Sequence, residues 1–287
     1  MRVVVFADDP DWHCHRLASA LTRRGASVTI ESLRRCRFEL GESGNGIVIP
    51  GLADGLPDAV LVRSVPNGSF EQVTFRLSIL HALRECGVRV INDARAIERC
   101  VDKSMTSFLL HQAGLPTPHT MVTEEVDAAD AWRARQPDDV VTKPLFGAQG
   151  RGLQRLARSE KLPDPADSTG VLYFQRYVGR DRDWRDYRVF VVGDEPVAAM
   201  TRRGASWVTN VARGGICEAA PCTGDLAALA VRAARSVGTG YAGIDLIADP
   251  EGRLMVLEVN SMPAWKGLQG VTDSDIAEAI AGHVLAR

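Results

Sequence analysis

The sequence predicts an α/β protein that becomes α+β in its C-terminal part. Three observations predict it. Strand and helix patterns alternate through residues 1–91, a glycine-rich segment at 147–152 lies between two apparent strands, and residues 171–200 read as antiparallel strands. Alternation implies an open parallel sheet covered by helices, whereas short strands joined by turn residues imply an antiparallel one.

The elements follow in order. Val3–Ala7 is a short apolar run that breaks at Asp8-Asp9-Pro10, too short for a signal peptide and suited to a buried strand. Trp12–Gly25 puts Leu17, Ala20 and Leu21 on one helical face, with Gly25 as its stop. Ser27–Ile30 and Ala59–Arg63 read as strands, and the glycine-containing stretch 36–57 between them as loop with one hairpin. Ser69 caps a helix with Glu71 and Gln72 in its first turn, an apolar stripe of Phe70, Val73, Leu77, Leu80 and Leu83, and an end at Gly87. Val88–Ile91 is a fourth strand.

Asp102 opens a helix that stops at Gly114, and Leu115-Pro116-Thr117-Pro118 forces extended chain. Val140–Lys143 is a strand. Val171–Tyr177, Tyr187–Val192 and Pro196–Met200 are strands, with a turn at Gly193-Asp194. Leu226–Val237 is an amphipathic helix, Tyr241–Ala248 and Arg253–Val259 form a hairpin, and Ile276–Leu285 is a closing helix. Ser159–Thr169 reads as a surface loop.

Composition excludes several classes. A length of 287 residues suggests roughly two domains and suffices for a core without staples. A net charge of −2 argues against a general nucleic-acid binder, though residues 140–158 hold four basic side chains and no acid, so a local anion site is compatible with it. No apolar run is long enough to cross a membrane. The six cysteines contain no C-x-x-C pair, which fits reduced thiols and a cytoplasmic setting.

Three constellations carry chemistry. Gly147, Gly150 and Gly152 let backbone N–H groups approach an anion, and Lys143 just before them is a natural phosphate partner; the segment is neither a P-loop nor a dinucleotide fingerprint. Asp245 and Glu258 sit within apolar runs on adjacent strands, and Asn260 shares a face with Glu258. These oxygens suit Mg²⁺, although outward-facing polar residues on a half-exposed hairpin would look the same. The third runs through Asp186-Tyr187-Arg188, Arg202-Arg203 and Asn210–Gly215; three arginines and no acid lie between Pro196 and Cys217, which suits phosphates and carboxylates or, alternatively, a solvated basic edge. His13-Cys14-His15 has ligand-type residues, but alternate positions at a helix start share no face.

From about Asp58 to Gly270 the motifs, in this order, resemble the ATP-grasp superfamily and its RimK-type α-L-glutamate ligases. They are Val90-Ile91-Asn92-Asp93, Asp102-Lys103, Gly114–Pro118, Thr142–Gly152, Asp186–Gly193, Ala198–Met200, Asn210–Gly215, Ala242–Leu246 and Leu257–Asn260. The resemblance implies a pre-grasp Rossmann-like domain over 1–95 and an ATP-grasp domain over 96–287, split near 175 into central and C-terminal subdomains with ATP between them. It implies that Lys103 and Lys143 contact phosphates and that Phe146–Gly152, including Gln149, closes over them. Gln175, Tyr177 and Val178 fall at the adenine-binding hinge, and Asp183 or Asp181 would meet the ribose. Asp245, Glu258 and Asn260 would hold Mg²⁺, with Mn²⁺ as a substitute. Arg188, Arg202, Arg213 and Asn210 would surround the transferred phosphate and the carboxylate.

The activity so implied is ATP-dependent ligation of a carboxylate to an amine through an acyl phosphate. L-Glutamate is the favoured amine, and a small coenzyme-like acceptor is favoured over a protein. The resemblance also implies a dimer or tetramer, and the charge balance and lack of a long apolar run leave neither nucleic acid nor membrane as an expected partner. The alternatives are a non-catalytic nucleotide-binding module, or a ligase using another amino acid or a carrier-protein acceptor. Trp265-Lys266 would shape the acceptor pocket. Arg63 and Glu71 would reach the acceptor from the N-terminal domain or else pair with each other at the surface.

Overall fold

A computed structural model describes residues 1–41, 44–52, 55–147, 150–163, 170–179 and 183–286. The expected surface loop at Ser159–Thr169 lies largely outside the described residues.

The chain begins with β1 (Arg2–Phe6), α1 (Trp12–Arg23), β2 (Ser27–Glu31), a small hairpin of β3 (Arg37–Phe38) and β4 (Ile47–Val48), β5 (Ala59–Val62), α2 (Phe70–Glu85) and β6 (Arg89–Ile91). The long strands form a parallel sheet in the order β2-β1-β5-β6. Val3–Phe6 and Ala59–Val62 are buried on both faces, which is why their sequences read as unbroken apolar runs. Asp11 caps α1 by accepting from the Cys14 N–H, and Gly25 ends it with a positive φ of 83° that favours glycine. Ser69 and Gln72 close a capping box on α2. The buried face of α2 is Arg76, Ile79, Leu80 and Leu83, not the expected stripe, and Phe70 is exposed. Arg76 faces inward because its guanidinium donates to the Pro66 and Asn67 carbonyls.

Two short helices follow, α3 (Ala94–Val101), which the sequence did not reveal, and α4 (Lys103–Gln112); Asp93 and Asp102 cap them. Next come β7 (Thr120–Thr123), α5 (Val126–Ala134), β8 (Val140–Thr142), β9 (Gln154–Leu156) and β10 (Leu172–Arg176). They build an antiparallel sheet in the order β7-β10-β8-β9, so the glycine-rich segment links two paired strands.

The remainder is β11 (Arg185–Val192), β12 (Glu195–Arg203), β13 (Ile216–Ala220), α6 (Gly224–Val237), β14 (Tyr241–Ala248), β15 (Leu254–Asn260), α7 (Lys266–Gln269) and α8 (Ile276–Leu285). Its antiparallel sheet runs β13-β12-β11-β14-β15. Ala230, Ala233, Ala234 and Val237 of α6 pack with Val189, Val191 and Leu246 on one face. Ile280, Ala281 and Val284 of α8 share a second core with Phe190 and Met200 of this sheet, with Val5 of the first sheet and with Leu17 of α1.

Uncharged polar groups tie the two sheets together. The buried Asn92 amide donates to the Tyr241 carbonyl (2.8 Å) and the Ser261 carbonyl (2.5 Å), and its oxygen accepts from the Gly240 (2.6 Å) and Tyr241 (3.2 Å) N–H groups. Tyr241 donates its hydroxyl to the Val62 carbonyl at 2.7 Å. His13 Nε2 accepts the Trp265 N–H at 3.1 Å while Nδ1 lies 2.6 Å from Asp11. His13 is therefore a satisfied buried histidine. His15 is exposed, and no cluster of three His, Cys, Asp or Glu that could hold a metal exists among the described residues.

Candidate active site

Strand register assembles the charged groups. Directly opposed residues in an antiparallel pair share a face, as do residues two apart on one strand. Arg202 opposes Asp186, Arg188 opposes Asp245, and Asp245 opposes Glu258. Asp186 and Arg188 are two apart, as are Glu258 and Asn260. One face of the sheet therefore carries the row Arg202, Asp186, Arg188, Asp245, Glu258 and Asn260. The register shifts beside Asp245, so that Leu257 is left between the pairs and faces the cleft.

The row is unevenly satisfied. Arg188 forks onto both oxygens of Asp245 at 2.7 Å each, and Arg202 forks onto Asp186 at 2.7 and 2.6 Å while reaching Asp245 at 3.1 Å. Burial alone would raise the Asp245 pKa, but Arg188 and Arg202 outweigh it and hold the carboxyl below its ordinary value. Glu258 has no hydrogen bond or ion pair among the described residues. Burial, and then the charge of Asp245, push its pKa up. Asn260 donates its amide to the Gly243 carbonyl at 3.2 Å, which leaves its side-chain oxygen available.

Across the cleft stand two lysines. Lys143 Nζ donates to Gln175 Oε1 at 2.7 Å, and burial pushes its pKa down to about 8 against the pull of Glu258. Lys103, at the start of α4, donates to the Gly147 carbonyl at 2.8 Å and the Leu145 carbonyl at 3.4 Å; burial lowers its pKa too. The loop between them needs its glycines. A Cβ at Gly147 or Gly152 would stand 3.1 Å from the Pro144 ring, and one at Gly150 (φ 69°) would meet Asn210 Oδ1 at 2.7 Å. The loop thus folds over Pro144 on one side and under Asn210 on the other.

Lys103, Lys143, Gly147, Gly150, Gln175, Tyr177, Val178, Arg202, Asn210, Asp245 and Glu258 all line one cleft. At the expected hinge the Tyr177 N–H is engaged by the Asp139 carbonyl at 2.9 Å, whereas the Val178 N–H has no backbone partner among the described residues. Arg188 does not line the cleft and is held against Asp245. Gly152, packed against Pro144, does not line the cleft. Asp183 is not brought in: it pairs with Arg185 at 3.2 Å and Arg203 at 3.4 Å, away from the cleft. Arg213 is exposed on the turn 211–213, outside the lining. Gln149 and Asp181 lie outside the described residues.

Sequence reasoning assigned no role to Asp186, which holds Arg202, or to Trp207, which lines the cleft and meets Tyr177 edge-on at 6.2 Å. The alternation Asp186-x-Arg188 was the available signal for the first; nothing marked the second. The Arg63–Glu71 ion pair does not form, because Glu71 accepts from Ser69 instead.

The donor set suits a hard divalent cation, which Glu258 and the Asn260 oxygen could hold directly, with Asp245 shared between the ion and the arginines. Lys103, Lys143 and Arg202, which line the same cleft as these acids, can bind a polyphosphate.

Comparison with known proteins agrees with this chemistry. The RimK-like ATP-grasp domain model matches residues 100–284, and the RimK PreATP-grasp domain model matches residues 1–97. The chain is 32% identical over 296 residues to a tetrahydromethanopterin:alpha-L-glutamate ligase of Methanococcus maripaludis, covering 99% of this chain and 98% of the relative. It is 30% identical to a probable alpha-L-glutamate ligase of Shewanella amazonensis, covering 99% and 95%. A solved structure of the ATP-grasp ligase PsnB complexed with minimal precursor, Mg and ADP superposes with a TM-score of 0.77 at 25% identity, covering 99% of this chain and 96% of that one.

Proposed function

The chain belongs to the RimK-like ATP-grasp family and is a ligase, and on that premise we propose that it joins a substrate carboxylate to the amine of L-glutamate through an acyl phosphate. The observation that carries this reading is the opposition, across one cleft, of the lysines Lys103 and Lys143 to the acid–arginine row ending in Glu258.

The substrate carboxylate attacks the γ-phosphorus of ATP, forming an acyl phosphate and releasing ADP. The amine then attacks the acyl carbon, and phosphate leaves as the amide forms. Charge builds on the transferring phosphoryl group, and preorganised cations stabilise it. Lys103 and Lys143 serve the nucleotide phosphates. Arg202, fixed by Asp186, presents its charge without needing to reorient, and Asn210 lines the same cleft. Val178 offers its N–H to the base. Glu258, Asn260 and Asp245 would hold Mg²⁺, with Mn²⁺ as a substitute, which neutralises phosphate charge when bound. Closure of the 147–152 loop against Asn210 would keep water from the acyl phosphate.

The acceptor favoured is a small coenzyme-like molecule, as the name of the Methanococcus relative suggests. A peptide acceptor is the second reading, favoured by the fold neighbour complexed with a precursor. The test is a screen for ADP release with amino acids crossed against small-molecule and peptide carboxylates, with mass spectrometry of the product. ADP formation that requires both L-glutamate and a carboxylate supports the reading. Tight ATP binding with no ADP formed from any pair would turn it toward a nucleotide-binding module.

A further inference from the structure

We propose that Arg63 is a substrate-binding residue that anchors a carboxylate other than the reacting one, brought by one of the two joined substrates. The proposal rests on the ligase reading above and adds a site to it.

Position is the first argument. In the order β2-β1-β5-β6 the chain leaves β1 toward one side and reaches β5 on the other. Such a switch opens a crevice at the C-terminal ends of the two strands, where open α/β sheets bind ligands. Arg63 is the first residue beyond β5, and its N–H donates to the Phe6 carbonyl at 2.8 Å. From the β1 side, the Asp8 N–H donates to Ser64 Oγ at 3.0 Å. The backbone thus pins Arg63 at the mouth of that crevice.

Charge is the second. The half-buried guanidinium lies over the Trp265 ring, 4.8 Å from its centroid, and Nη1 donates to the Tyr241 hydroxyl at 3.4 Å. No carboxylate pairs with it among the described residues, and its Nε is buried without a hydrogen-bond partner. Asp11, the acid beside His13, is taken by His13 and the Cys14 N–H. A guanidinium withdrawn from water without an anion is costly, and its planar fork matches a carboxylate.

Location relative to the cleft is the third. Trp265 follows β15, whose end carries Glu258 and Asn260. In the same loop, Pro263 packs where a Cβ of Gly243 would stand, and that position is also 3.7 Å from Arg188 Cδ. Lys266 adds a second positive charge beside Trp265. An anion on Arg63 would therefore sit next to the arginine row, at the distal end of a substrate whose reacting end lies in the cleft.

The amino acid and the acceptor could each bring this carboxylate, and four probes separate them. L-Glutamate and L-glutamine serve as amines. N-Acetyl-L-glutamate and N-acetyl-L-glutamine, whose amines are blocked, serve as acceptors. Arg63→Met should raise KM about tenfold or more for L-glutamate but not L-glutamine if the side-chain carboxylate of the amine substrate is held, for both alike if its α-carboxylate is held, or for N-acetyl-L-glutamate but not its amide if the acceptor is held. The KM for ATP should stay within twofold. Arg63→Lys, which keeps the charge over Trp265 but loses the fork, should show a smaller rise of the same pattern, and it carries the test if the methionine variant does not fold. KM values within twofold of the parent for all four probes in a folded variant overturn the proposal. Calorimetric titration of the same probes in the presence of AMPPNP is read alongside. A parent that binds a probe through Arg63 yet releases no ADP from any pair in the screen above refutes the ligase reading alone, and a parent that binds none of the four probes overturns the proposal.

Discussion

The joint between the sheets and the cleft between the lysines and the acid row handle buried polarity in opposite ways. At the joint, Asn92 uses both ends of its amide on four backbone groups, and His13 and Tyr241 are likewise satisfied. These groups are neutral, so they order two layers without the cost of buried charge. In the cleft the groups are charged and some are left open: Glu258 has no partner among the described residues, and Lys143 is held by a neutral amide. Saturated neutral groups hold the fold, and open charged groups await a ligand. Substitutions should therefore separate into those that cost stability and those that cost turnover.

The largest effect expected is on turnover. Lys143→Ala should lower kcat by about 10²–10³ with little change in Tm, measured by ADP release and calorimetry; unchanged turnover would remove Lys143 from the phosphate site. Glu258→Gln should cut Mg²⁺-dependent turnover by about 10² while leaving Tm level or raised, because it removes a carboxylate that burial and Asp245 disfavour. A lowered Tm would show that Glu258 belongs with the holding groups. Asn92→Ala should do the reverse, costing about 2–4 kcal/mol of stability with KM for ATP retained, since it orphans four backbone groups at once.

The smallest effect is one of pH. Burial holds the His13 pKa below the ordinary histidine value despite Asp11, and Nε2 must stay unprotonated to accept from Trp265. The folded pKa is thus below the unfolded one. The stability that neutral His13 contributes is present above about pH 6.5 and is lost as pH falls from there through the folded pKa. Tm measured between pH 7.5 and 5 should fall more for the parent than for His13→Gln, whose amide oxygen can accept at any of these values. Parallel curves would exclude His13 as the cause.

Much of this division was legible beforehand. The parallel strands announced themselves as apolar runs, and the helices α1, α4, α6 and α8 by capping residues and periodicity. Asp245 and Glu258 stood out because acids inside apolar strands require an explanation. What escaped notice was set by tertiary context. β9 and β13 are short, partly exposed edge strands, so their identity comes from their partners. The buried face of α2 was misread because Arg76 turns inward to two carbonyls, which no apolar count detects. Arg213 and Asp183 fell in the expected segments, but segment order does not say which way a turn faces. Arg63 looked like half of a surface pair because spacing alone could not show Glu71 turned to its own cap.

One contact also bears on timing. Lys103 has three N–H groups, and it gives bonds to the Leu145 and Gly147 carbonyls, 42 and 44 residues further along the chain. The helix end and the glycine loop are thereby fastened before any phosphate arrives. A polyphosphate that recruits this ammonium must compete with those two carbonyls, so entry of the nucleotide and release of the loop become one event. The association rate would then report how readily Lys103 lets go, and not diffusion alone.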